Sequence, residues 1–223
     1  MMKIGYESGI GAWYDKLEFE EACGRGSHPN INRSYCQHLL KTLRNNDVRS
    51  FVDYGCGNHE TYNGNIDWSE TGIEYVGYDA HVGAVDTLRT KYPKLRFEYA
   101  KLNTVPNEDV DALVIKDVLI HWFDKDIKWF FENVFDHFEN VFYMHSTTNQ
   151  GYETRVPKRE AYMVDDPTKR FGTRGELPEG AKYWDNGCFG YKCVPSELLP
   201  MDKVVSKINI RGDSMKTFIH FRK

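Results

Sequence analysis

From Asn32 the apolar positions Tyr35, Leu39, Leu40 and Leu43 recur at the three-to-four-residue interval of a helix with one buried face, and Asn45-Asn46-Asp47 closes the run. Upstream, residues 13–23 carry a helical pattern that Gly24-Arg25-Gly26-Ser27-His28-Pro29 breaks. Past Asp47 the rhythm changes. Short apolar runs at 50–54, 75–78, 96–99, 112–115 and 141–145 read as strands, and they alternate with helical patterns near 83–91 and 125–137. That alternation predicts an α/β fold: a doubly wound, mainly parallel sheet with helices on its faces. At the far end, 203–210 and 216–221 read as two more strands joined through Arg211-Gly212-Asp213-Ser214, an antiparallel hairpin that brings the sheet to seven strands.

Between 151 and 194 the periodicity fails. Glycines, charges and scattered aromatics run on for longer than a compact domain leaves as plain loop, which marks a lid. The pattern therefore divides a single domain, 1–223, into a helical cover (1–46), a ligand-binding core (47–150), a lid (151–194) and a closing hairpin (195–223). A length of 223 residues suits one hydrophobic core.

Composition narrows the classes. With 29 Lys and Arg against 33 Asp and Glu the net charge is −4, so no global field draws the chain to nucleic acid or to an anionic membrane. The five cysteines, Cys23, Cys36, Cys56, Cys188 and Cys193, are odd in number and lack zinc-like pairing, which suggests reduced thiols and a cytoplasmic location. Cys188 and Cys193 near Asp185 lack convergent histidines, so no metal is expected. The first fourteen residues mix charge and glycine where a secretory signal would be apolar, and no stretch reaches membrane-spanning length.

Three segments carry candidate chemistry. In Val52-Asp53-Tyr54-Gly55-Cys56-Gly57-Asn58 an apolar strand runs into an acid and two glycines, which permit a tight turn and close approach of backbone to a ligand. Tyr75-Val76-Gly77-Tyr78-Asp79 ends a second strand in an acid able to bind a ribose diol. That spacing suits a nicotinamide cofactor or S-adenosylmethionine. Glu60 stands where the dinucleotide fingerprint needs its third glycine, and Asp53 favours a cationic ligand over a pyrophosphate. In the third segment, Val114-Ile115-Lys116-Asp117-Val118-Leu119-Ile120-His121-Trp122, an acid and an imidazole follow a buried-type strand at the sheet's carboxyl edge, where open α/β sheets bind ligands.

Together these segments resemble the class I S-adenosylmethionine-dependent methyltransferases, in particular small bacterial and phage-type members. The matching features are Gly26-Ser27 before a helix, the glycine loop from Asp53 to Asn58, Asp67-Trp68 before the second strand, and Lys116 to His121. The resemblance implies a Rossmann-like fold, with S-adenosylmethionine as cofactor and S-adenosylhomocysteine as product. It places Asp53, Gly55, Cys56 and Gly57 along the methionine half, Asp79 on the ribose hydroxyls, and Asp117 and Val118 at the methyl end. After the third strand, where such enzymes often carry an acid for the adenine, this chain has Ala100-Lys101-Leu102-Asn103, leaving the Leu102 amide and Asn103 to hold the ring.

For an alcohol nucleophile, His121 is the candidate general base, since imidazole titrates near neutrality, with Asp117 orienting substrate or cofactor. His145 lies at the same edge. In the lid, Arg155, Tyr183 and Trp184 typify an aromatic and cationic mixture suited to a small polar acceptor or glycan, with a nucleic acid also open. The first expectation is O-methylation of a sugar or other small metabolite, ahead of nucleic-acid or protein methylation. The Asn-Pro-Pro-Tyr type signature of exocyclic-amine methylation is absent. Rival readings from other classes are a nicotinamide-dependent oxidoreductase and a non-catalytic binding module with the same fold.

Overall fold

In the structure, a computed structural model, residues 27–100, 105–119, 124–146, 194, 198–211 and 215–223 are described; the helical pattern expected at 13–23 and residues 151–193 lie outside them. The first helix, α1 (Pro29–Asn45), begins three residues before its expected start. Pro29 opens the helix instead of ending the break, because its missing N–H is not needed in the first turn, and the His28 imidazole caps the end by accepting the Asn30 amide at 3.3 Å. Asn32, Tyr35, Cys36, Leu39 and Leu43 form the buried stripe. The chain leaves through Asp47 in the left-handed region, φ 54°.

The strands are β1 (Ser50–Tyr54), β2 (Glu74–Asp79), β3 (Arg96–Tyr99), β4 (Ala112–Lys116), β5 (Asn140–Ser146), β6 (Val204–Arg211) and β7 (Met215–Arg222), each within one residue of the expected bounds. Helix α2 (Val82–Lys91) joins β2 to β3, and α3 (Asp124–Asn133), prolonged by a 3-10 turn at Val134–Asp136, leads into β5. The seven strands lie in the order β3-β2-β1-β4-β5-β7-β6. The first five are parallel; β7 inserts antiparallel between β5 and β6. Strand order reverses at β1, which has β2 on one side and β4 on the other, so a crevice opens there at the carboxyl ends.

Side-chain alternation assigns the faces. Val52 and Tyr54 of β1 pack with Ile127, Phe130 and Phe131 of α3, whereas Phe51 packs with Tyr35, Leu39 and Leu43 of α1 and Val85 and Leu88 of α2. The crossover from β1 to β2 contains no α-helix. Two 3-10 turns, Glu60–Tyr62 and Trp68–Glu70, carry it, and the buried Tyr62 and Trp68 fill the space that a helix would cover. Trp68 stacks on Tyr75 with ring centroids 5.9 Å apart and meets Phe51 edge-on at 4.8 Å.

Candidate active site

The glycine loop is clamped between the ends of β2 and β4. Gly55 and Gly57 hold φ of 79° and 57°, a region that side chains disfavour. The amides of Gly55 and Cys56 both donate to the Tyr78 carbonyl, at 2.7 and 3.0 Å. The Gly57 amide donates to Asp79 Oδ2 at 2.8 Å while the other carboxylate oxygen accepts the His81 amide at 2.9 Å. A β-carbon on Gly55 would stand 2.3 Å from Val118 Cγ2, so this glycine is also what lets the loop press against the chain leaving β4. Asp79 thus fixes the loop's shape. Burial pushes its carboxyl up, and the His81 and Gly57 amides oppose that rise.

Asp53 lies beneath the loop, on the α1 face of β1, and is only 3% exposed. Its Oδ2 accepts the Tyr75 hydroxyl at 3.0 Å. Burial pushes the carboxyl up to about 6, against the hydroxyls of Tyr75 and Tyr62 and the charge of Lys116. Space for this arrangement comes from Gly77, where a β-carbon would meet Phe97 at 2.6 Å and the Tyr75 hydroxyl at 2.9 Å. Cys36 and Cys56 are buried, and neither forms a disulfide. Among the described residues no group of three or more His, Cys, Asp or Glu side chains could hold a metal ion.

Asp117 follows β4 with φ 57°, a strained backbone for a residue that is not glycine. Its amide donates to the Met144 carbonyl at 2.8 Å. Lys116 reaches Oδ2 at 3.0 Å, and Lys216, from β7, bonds the same oxygen. Oδ1 is buried with no hydrogen-bond partner among the described residues. Burial raises the carboxyl's pKa, but the two lysines outweigh it and hold the group well below the usual carboxylate range. It stays ionised, an acceptor rather than a proton source.

His145 is buried, and its Nδ1 accepts the Val194 amide at 3.1 Å. Burial pushes it down to about 4, so it is neutral at physiological pH and only Nε2 remains for another contact. His121, Leu102, Arg155, Tyr183 and Trp184 lie outside the described residues. The structure therefore gathers Asp53, Gly55, Cys56, Gly57, Asp79, Asp117 and Val118 at one crevice. It adds Tyr75, His59 and Lys216, which the motifs did not single out.

A seven-stranded sheet in this order, its last strand inserted antiparallel and its crevice at the β1–β4 reversal, is the fold of class I S-adenosylmethionine-dependent methyltransferases. Solved structures agree. Magnesium protoporphyrin IX methyltransferase from Synechocystis PCC 6803 with bound SAH matches with a TM-score of 0.62 at 12% identity, over 95% of this chain and 97% of that one. The methyltransferase domain of bacterial CtHen1-C gives 0.53 at 10% identity, over 86% and 99%. Human N-acetylserotonin methyltransferase in complex with SAM gives 0.50 at 13% identity, over 86% and 55%. At such identities the likeness is one of fold. No protein-family model and no curated protein matches the chain.

Proposed function

We propose that this chain is an S-adenosylmethionine-dependent methyltransferase acting on a small polar acceptor, with O-methylation of a sugar or similar metabolite as the leading reaction. The observation that carries this reading is the setting of the glycine loop. It lies at the strand reversal with Asp53 below it and Asp79 beside it, and the residues that follow form 3-10 turns. A dinucleotide pyrophosphate is normally met by the N-terminus of an α-helix, with its partial positive charge. Here an acid and short turns stand in that place, a setting suited to a cofactor with a cationic end and no phosphate. The fold shared with structures carrying bound SAM or SAH points the same way.

In this reading Asp53 and the loop residues Gly55, Cys56 and Gly57 flank the methionine half, and Asp79 uses its remaining acceptor capacity for the ribose hydroxyls. Leu102 and Asn103 hold the adenine, while Asp117 and Val118 border the methyl end. Bound there, S-adenosylmethionine supplies a methyl group on a sulfonium, an electrophile that needs no metal. The chain's own task is alignment of nucleophile, methyl carbon and sulfur, an effect worth ~7 to 11 kcal/mol. The bare Oδ1 of Asp117 accepts a hydrogen bond from an incoming hydroxyl or amine, and His121 takes the acceptor's proton. His145, Arg155, Tyr183 and Trp184 belong to acceptor recognition, with 151–194 as the lid.

Calorimetric titration with S-adenosylmethionine, S-adenosylhomocysteine, NAD and NADP tests the cofactor assignment: the first two bind, the last two do not. Silence from all four would favour the binding-module reading. His121→Ala retains cofactor affinity and loses turnover by roughly 100-fold or more; unchanged turnover would remove it as the base.

A further inference from the structure

We propose that His59, acting through Tyr75, is a positioning residue for the cofactor: the hydrogen-bonded chain from His59 to Tyr75 to Asp53 keeps a negative charge fixed beneath the glycine loop. This rests on the cofactor assignment above and extends it to side chains that the motifs passed over.

The geometry sets the direction of the chain. The Tyr75 hydroxyl carries one proton and donates it to Asp53 Oδ2 at 3.0 Å, so its oxygen accepts from His59 Nδ1, 3.1 Å away. That fixes the His59 tautomer with its proton on Nδ1. The imidazole is locked in place by rings on every side: Tyr62 at 5.1 Å, Tyr75 at 5.0 Å, Tyr92 at 4.9 Å and Phe97 at 5.5 Å. Its backbone sits at φ 63°, a left-handed conformation that aims the ring inward from the 3-10 crossover. A fold needing only an aromatic plug here would not require a donor in the ring or a hydroxyl on Tyr75. Their alignment on a buried carboxylate gives that carboxylate what a charge needs in a dry site, donors whose own partners are satisfied.

Several ionisable groups among the described residues surround Asp53. Tyr75 and Asp79 face it from β2, Tyr62 from the crossover, Lys116 from β4, and Tyr35 and Cys36 from α1. Burial, reinforced by the charge of Asp53, pushes all three phenols well above their ordinary value, and burial pushes Cys36 up to about 12. Burial and Lys91 push His59 down to about 4, so it remains neutral. Between pH 5 and 8 Asp53, raised to about 6, titrates; burial raises the neighbouring Asp79 carboxyl as well. A cationic ligand above Asp53 is attracted while the carboxylate is ionised and loses that attraction as pH falls through its titration. Withdrawing the Tyr75 hydroxyl removes a donor to the charged form and moves that titration upward.

The experiment measures the Kd of S-adenosylmethionine from pH 5 to 8.5 for wild type, Tyr75→Phe and His59→Asn, together with an NMR titration of the Asp53 carboxyl in the free proteins. Asparagine tolerates the left-handed backbone, so the second variant is expected to fold even where the first does not. In the wild type the affinity falls up to tenfold per pH unit below about pH 6, where Asp53 titrates. In Tyr75→Phe both the affinity break and the Asp53 titration rise by about one pH unit, weakening binding roughly tenfold at pH 6 with near-normal binding at pH 8.5. His59→Asn shifts both the same way by less. An equal loss at every pH, or an Asp53 titration that neither variant moves, overturns the relay and leaves the cofactor assignment intact. A wild-type protein that binds no S-adenosylmethionine at any pH overturns the assignment and, with it, the relay's role in binding.

Discussion

At the scale of single residues, two positions beneath the crevice make opposite demands. Gly55 combines a φ of 79° with a β-carbon site 2.3 Å from Val118. Gly55→Ala should therefore cost roughly 2 to 4 kcal/mol and abolish cofactor binding, since both strain and overlap arise. Adding Val118→Ala relieves only the overlap, so urea unfolding of the double variant should show partial recovery. Asp53 is the reverse case. Its carboxyl is raised on folding to about 6, so the native state resists ionising it; relative to an unfolded carboxylate, the site is favourable only while protonated. As pH rises through the folded value that advantage is lost. Asp53→Asn should be more stable than wild type by roughly 2 to 3 kcal/mol at pH 8, with the gap closing towards pH 4, in denaturant titrations at the two pH values. For the cofactor role proposed for Asp53, such a cost to the fold is a familiar exchange of stability for function.

At the scale of elements, β4 and β7 meet through one carboxylate. Lys116 and Lys216 share Asp117 Oδ2 across the sheet, both lysines nearly buried. Asp117→Asn would leave two buried ammonium groups short of their counter-charge, and it should lower stability at pH 7 by about 3 kcal/mol. Because the Asp117 carboxyl is depressed, its contribution is complete above pH ~4 and is lost as pH falls below that. Wild type and variant should therefore converge in acid-unfolding curves. The strands themselves were legible in the chain, because buried parallel strands write themselves as short apolar runs with acids and glycines at their ends. Contacts between elements were not. Tyr75 reaches Asp53 because β1 and β2 pair Phe51 with Tyr75, a register that no local pattern states, and Lys216 is 99 residues from Asp117. The start of α1 was misplaced because Pro29 serves equally as a breaker and as a first-turn residue. The turn from Asp53 to Gly57 was legible because its backbone, with positive φ at Gly55 and Gly57, calls for glycine at those two positions.

At the scale of the molecule, one sheet ties the crevice to the end of the described chain. β7 covers β5 along its full length, pairing Asn140 with Arg222 through to Ser146 with Lys216. Deleting 204–223 should leave the glycine loop's own hydrogen bonds unchanged yet strip the edge of β5, an unpaired apolar strand prone to wrong pairing. The truncated protein is expected in the insoluble fraction, and a soluble, cofactor-binding product would contradict this account of the sheet. The insertion of β7 also has a consequence in time. During synthesis at about 5 to 20 residues per second, the 69 residues separating Ser146 from Lys216 in the chain take roughly 4 to 14 s to be made. For that interval the nascent protein holds the five parallel strands with an open flank and an Asp117 that has Lys116 but not yet Lys216 beside it, which makes elongation speed through the 147–215 stretch a determinant of how much protein folds correctly.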